Sequence, residues 1–262
     1  VIITAALSWY DEPVDELVAC VGALAGVADR LVAYDGAYRR YPGGKARSPR
    51  EQVRAIQTTA KAAGIECLVM QPNKPWAGQV EKRTHLVNAA CINSDWIMIV
   101  DSDYVVRPNG ADVHAELDAF TEAVIDIPYV YPFDPAAQME EAAATAWAQG
   151  LAGKSVLTPH FIRAVPGMRY ESYHYRLSGI VNGRREWLDF SDPTDHSYPY
   201  APHHKGLASY EVEHRCMLRT PEKVLGNRAF CNDRFWIVAA TGQEDDVPGL
   251  DPPVWEYERR LV

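Results

Sequence analysis

Asp101 and Asp103 are separated by one serine and stand at the end of the apolar run Trp96-Ile-Met-Ile-Val100. Such a run reads as a buried strand, and two carboxylates at its end are costly to bury without partners. They need a cation between them or a place at the mouth of a cleft. Carboxylates open to a cleft suit a hard divalent ion such as Mg2+ or Mn2+, bound through oxygen. The competing role is local, because aspartates also cap the following turn or pair with arginines. Asp-x-Asp is a common triplet, so its position has to give it meaning.

The elements around it supply that position. Val1 to Ser8, Arg30 to Asp35, Glu66 to Met70 and Asp95 to Val100 read as four strands. Between them, Val14, Leu17, Val18, Val21 and Leu24 recur at helical spacing after Pro13. Ser48-Pro-Arg-Glu51 reads as a serine cap for a helix running to about Ala63, with Gly64 as its stop. A further helix starts near Gly78, with Val80, Thr84, Val87 and Cys91 on one face. Strands alternating with helices imply right-handed crossovers and a parallel sheet. Continuous apolar strands imply that both faces of that sheet are covered.

Ligands of such sheets bind beyond the carboxyl ends of the strands. Ala6-Leu-Ser-Trp-Tyr-Asp-Glu12, Asp35-Gly36 and Asp101-Ser-Asp103 all fall at such ends. Lys82 and Arg83 lie in the first turns of the helix that starts near Gly78, where the macrodipole disfavours cations. A phosphate in the cleft would account for them; a solvated basic face is the alternative.

This combination resembles the nucleotide-sugar glycosyltransferases of the GT-A fold, family 2-like, a group with small and phage-encoded members. The residues that carry the resemblance are Glu81-Lys-Arg-Thr-His85 followed by Asp95-Trp-Ile-Met-Ile-Val-Asp-Ser-Asp103. Ser8-Trp-Tyr-Asp-Glu-Pro13 is similar to the family's first-strand segment, with Asp11 in place of its asparagine. The resemblance implies a mostly parallel, Rossmann-like sheet flanked by helices, with an irregular acceptor half. It also implies transfer of a sugar from a UDP- or GDP-sugar to an acceptor hydroxyl, with inversion. Residues 1–106 would bind the donor through Ala6, Ser8, Trp9, Asp11, Asp35, Lys82, Arg83, Asp101 and Ser102. Asp101, Asp103 and His214 would hold Mn2+ or Mg2+, with His203 and His204 as rivals to His214.

Residues 107–262 would form the acceptor half of a single domain, because neither a repeat nor a linker divides the chain. Val113, Leu117, Phe120 and Val124 mark one more helix, Ile125 to Tyr131 a strand, and residues 137–152 an alanine-rich helix. An inverting transferase needs a base for the acceptor hydroxyl. Asp192 and Glu171 come first and His174 after them, with Asp189 and Asp195 also in range. Tyr170-Glu-Ser-Tyr-His174 is similar to a stretch near acceptor sites in relatives, but the glutamate that follows it there is Tyr175 here.

Composition narrows the partners. A net charge of −9 disfavours general nucleic-acid binding. Arg39, Arg40, Lys45, Arg47, Arg50 and Arg54 nevertheless form a basic stretch that fits a compact anion. The acceptor therefore stays open among protein, glycan, lipid and hydroxylated DNA bases. Five cysteines with no C-x-x-C pair point to a reduced, cytoplasmic protein without a cysteine zinc site. No stretch is apolar enough for a transmembrane helix, and the first residues read as a strand rather than a leader. A nucleotidyltransferase is the nearest enzymatic rival, although its glycine-rich basic loop after strand one is replaced here by the acidic Ser8 to Pro13. A binding module without turnover is the other alternative.

Overall fold

A computed structural model describes residues 1–39, 44–110, 112–130, 155–172, 176–188, 205–206 and 210–215. Within them the chain is α/β, with a mixed nine-stranded sheet flanked by helices. The first half runs β1 (Ile3–Ser8), α1 (Val14–Gly22), β2 (Arg30–Tyr34), α2 (Arg50–Ala62), β3 (Glu66–Met70), α3 (Gln79–Ala90) and β4 (Trp96–Asp101). It continues with β5 (Tyr104–Pro108), α4 (Val113–Asp118), β6 (Val124–Val130), β7 (Ser155–Arg163), β8 (Arg169–Ser172), β9 (Arg176–Val181) and β10 (Arg184–Trp187). Two short pieces complete it, β11 (Lys205–Gly206) and β12 (Tyr210–His214).

The order β3-β2-β1-β4 is parallel throughout, as the strand–helix alternation predicts. Beyond β4 the ladder continues β7-β6-β12-β5, with β7 antiparallel to both neighbours and β5 antiparallel to β12. β1 lies between two partners and is buried at every position. Alternate strand residues serve opposite cores, as the two-residue pleat requires. Ile3, Ala5, Leu7, Leu31, Ala33 and Met98 pack with α1 and α2. Ala6, Val32, Tyr34 and Ile97 pack with α3 and with the separate sheet β10-β9-β8. β3 departs from the expected continuous burial: Glu66, Leu68 and Met70 are exposed because β3 is an edge strand.

Other local expectations shift for identifiable reasons. Ser48 does not cap α2; Pro49 takes that position, and the serine hydroxyl is used elsewhere. α4 ends at Asp118, and Val124 opens β6 rather than closing a helix. Asp112 caps α4 through His114 N and Ala115 N. The fully buried residues of α3 are Lys82, Arg83, Leu86, Val87 and Ala90, and Val80 and Cys91 pack against the same core as Val87 while only partly buried. The helix expected at 137–152 lies outside the described residues.

Only Ser102 and Asp103 join β4 to β5, yet β7, β6 and β12 separate those strands in the ladder. Two residues span too little distance to cross the four strand spacings between them. The sheet must therefore curl, bringing its far edge back to the end of β4. There β5 packs against α1, and Val106 joins the same core as Leu17 and Cys20.

Candidate functional site

Three strand ends meet at one edge of the sheet. The register sets Ser8 beside both Tyr34 and Asp101, so the segments after β1, β2 and β4 leave at one level. Following strand directions along the ladder, β12 runs parallel to β4 and ends at the same edge. Its last residue is His214, paired with Tyr104 in β5. That pairing, with Arg215 N donating to Asp103 O at 2.8 Å, sets the imidazole against the turn. His214 Nε2 lies 3.3 Å from Asp103 Oδ2. Residues distant in sequence are thus joined by the curl of the sheet. The Tyr104 ring backs the imidazole edge-on at 4.8 Å.

Asp101 faces a different partner. Arg83 Nη2 donates to both of its carboxylate oxygens, at 2.7 and 2.8 Å. The Arg83 side chain is buried while that of Asp101 is 28% exposed, so the guanidinium holds the carboxylate from behind. Asp101 keeps the Arg83 guanidinium charged despite its burial. Arg83 also lies over the Tyr170 ring at 6.0 Å. The arginine pairing that the sequence left open for Asp101 is thus present, with Arg83 as the partner. Ser102 is buried in the turn between the two aspartates.

Cys20 registers the field of this edge. Burial is the main reason its thiol resists ionisation, and Asp103, Asp101, Glu12 and Glu16 push in the same direction. Beyond them Glu213 pairs with Arg107 and, at 2.7 Å, with Arg215, which reaches Glu16 at 3.5 Å. The edge near β12 is therefore rich in carboxylates held in place by arginines. Asp103 and His214 are an oxygen and a nitrogen donor of the kind Mn2+ or Mg2+ accepts. Among the described residues, however, no three His, Cys, Asp or Glu side chains converge as a metal-ligand group.

The donor-side candidates turn out to be tightly engaged with one another. Lys82 is 2% exposed, and its Nζ donates to Trp9 O at 2.7 Å and Gly36 O at 3.0 Å. Burial pushes its pKa down to about 7, against the pull of Asp35. It does not reach into an open cleft as the expected phosphate contact would require. Asp35 is fully buried: Oδ1 accepts from Gly36 N (2.6 Å) and Ser48 Oγ (2.5 Å), and Oδ2 from Ser48 N and Gln71 Nε2 (both 2.7 Å). A carboxylate offers about four acceptor sites, so this one is filled by protein donors. Asp35 anchors the segment before α2 to the end of β2, and is not placed to contact a nucleoside.

The same anchoring extends to β1. Asp11 N donates to Ser48 Oγ at 2.9 Å, and Gln52 Nε2 reaches Asp11 Oδ1 at 3.4 Å. Asp11 itself has φ 47°, the left-handed region in which Asp is among the better tolerated side chains. Ala6 and Ser8 spend their backbone groups in the ladder, and Trp9 N donates to Tyr34 O at 3.2 Å. The buried Trp9 Nε1 has no hydrogen-bond partner among the described residues. Ser48, Gln52 and Gln71 were missed in the sequence. Ser48 matched a helix cap, and isolated glutamines carry no pattern.

Of the base candidates, Glu171 lies in β8, directly after Tyr170, whose N donates to Thr84 Oγ1 of α3 at 3.0 Å. His174, Asp189, Asp192 and Asp195, with His203 and His204, lie outside the described residues. Cys20, Cys67 and Cys91 are free thiols. Among the described residues no helix is long and apolar enough to cross a membrane.

No family model matches this chain. No curated protein matches it either. Among solved structures, one described as "Crystal Structure of a Mycobacterial Protein" is 17% identical, with a TM-score of 0.36. The alignment covers 62% of this chain and 53% of that one, so the chain spans about half the length of that protein. A likeness at that level carries no inference about fold or activity.

Proposed function

We propose that this chain is a glycosyltransferase of GT-A type, moving a sugar from a UDP- or GDP-sugar to an acceptor hydroxyl with a divalent cation. The observation that carries this is the approach of His214 to Asp103 at 3.3 Å, at the edge where β1, β2 and β4 also end. These are two of the three residues that the resemblance assigns to the metal, and they meet across a large sequence separation. Asp103 and His214 would hold Mn2+ or Mg2+, which when bound neutralises the charge that develops on a departing diphosphate.

The remaining roles belong to the chain's own groups. Arg83 holds the Asp101 carboxylate in place at the mouth of the same edge. Asp35, Ser48 and Lys82 shape the wall formed by the segments leaving β1 and β2. In the acceptor half, residues 107–262, one of Glu171, His174 and Asp192 takes the proton of the acceptor hydroxyl. Its oxygen then bonds to the anomeric carbon as the bond from that carbon to the diphosphate breaks, inverting the centre. Protein, glycan or lipid acceptors fit a protein of charge −9 better than DNA does.

The test is a panel of nucleotide sugars incubated with Mn2+ and scored for released nucleoside diphosphate. Release with one donor, abolished by chelation, is expected. Pyrophosphate release from a nucleoside triphosphate would identify a nucleotidyltransferase instead, and binding of every donor without turnover would identify a binding module.

A further inference from the structure

Lys82 sits where a cation is least expected. It is in the first turn of α3, where the helix dipole opposes positive charge, and it is almost fully buried. Its amine donates to the first carbonyl beyond β1, Trp9 O, and to Gly36 O, just beyond β2. The Tyr38 ring lies 5.6 Å from Nζ. Gly36 brings its backbone in where no side chain fits: with φ 107°, a Cβ there would stand 2.6 Å from Pro72 Cγ and 2.7 Å from Ala46 O. The charged groups that act on the amine are Asp35 at the end of β2, Glu12 after β1, Asp101 at the end of β4 and Arg83 on α3. Asp35, Asp101 and Glu12 favour the ammonium, whereas burial and Arg83 oppose it.

We propose that Lys82 is a positioning residue for the donor pocket: its amine ties together the segments leaving β1 and β2, and hydrating that amine opens the wall they form. The pocket's nucleotide role rests on the function proposed above; the tie does not. Arg83, the next residue, braces α3 to the end of β4 through Asp101. Two adjacent side chains therefore hold one helix turn to three strand ends. Opening transfers the amine to water, where it binds a proton more readily than it does when buried with a pKa of about 7. Opening thus takes up a proton above that pH. Raising the pH makes opening harder, and acidification towards pH 7 makes it easier.

Amide hydrogen exchange on the wild-type protein tests this, with rates corrected for intrinsic chemistry. Protection of residues 9–12 and 36–39 should rise about 15-fold between about pH 7 and about pH 8.5, since the uptake grows from about half a proton to nearly one over that span. Protection that is flat across this range overturns the proposal, whether or not any variant folds. In Lys82→Met the same segments should lose at least about ten-fold in protection and all of this pH dependence. Unchanged protection in that variant also overturns it. Titrating UDP and GDP in the presence of Mn2+ separates the two readings. Lys82→Met should weaken nucleotide binding about ten-fold while Mn2+ alone binds as in the wild type. A wild-type protein that binds neither nucleotide refutes the donor pocket, and the exchange data then decide the tie alone.

Discussion

Replacing Asp35 separates an anchor from a nucleoside contact. In Asp35→Asn the shape is kept, but one oxygen becomes an amide that points hydrogens at donors. Whichever way the amide turns, two of the four present contacts become donor against donor: Gly36 N with Ser48 Oγ, or Ser48 N with Gln71 Nε2. Each buried donor left without an acceptor costs about 1–3 kcal/mol. The Ser48 hydroxyl can rotate and Gln71 is only partly buried, so the lower end applies and the loss should be about 2 kcal/mol. Asp35→Ala removes every acceptor and should cost about 5 kcal/mol, near the upper limit for single substitutions. Urea unfolding at constant m-value is the assay. A change below about 1 kcal/mol in Asp35→Asn, combined with a large loss of nucleotide affinity, would refute the anchor and restore the ligand role.

The other expectations are brief. Asp103→Ala should abolish metal-dependent donor turnover and weaken Mn2+ binding measured by EPR; full activity would sink the proposed function. Arg83→Met leaves the part-exposed Asp101 without its counter-ion and should cost about 2 kcal/mol by urea unfolding, less than for a fully buried pair, with Arg83→Lys recovering part of it. Gly36→Ala should destabilise by at least about 2 kcal/mol in thermal unfolding, since both its φ and the facing Pro72 and Ala46 atoms resist a Cβ. His160 is buried, and loss of hydration lowers its pKa from 6.5 to about 3. The unfolded chain then binds the extra proton first, so stability should fall as pH drops through that window. The slope should reach about 1.4 kcal/mol per pH unit and flatten in His160→Gln.

The local alternation of strand and helix in the first hundred residues is legible because burial on both faces writes itself as uninterrupted apolar runs. β1, β2, β3 and β4 therefore stand within a residue or two of their expected bounds. β5 was not foreseen: Tyr104 to Pro108 is short and half-exposed, and its strand identity comes from β12, over a hundred residues away. Val124 matched a helical spacing by coincidence, and its pairing with Ile162 in β7 overrode that match. His214 could be tied to Asp103 from the sequence only through a family resemblance, since the contact depends on how far the sheet curls.

The sequence alone determined where strands end, and hence that Ser8, Asp35 and Asp101 gather at one edge, because periodicity is a local property of the chain. Tertiary structure alone decided what each charge meets. Asp101 went to Arg83, Asp103 to His214, Asp35 to Ser48 and Gln71, and Lys82 to two carbonyls. Partner choice among buried charges depends on distances of a few ångströms between distant segments, and no spacing along one segment encodes them.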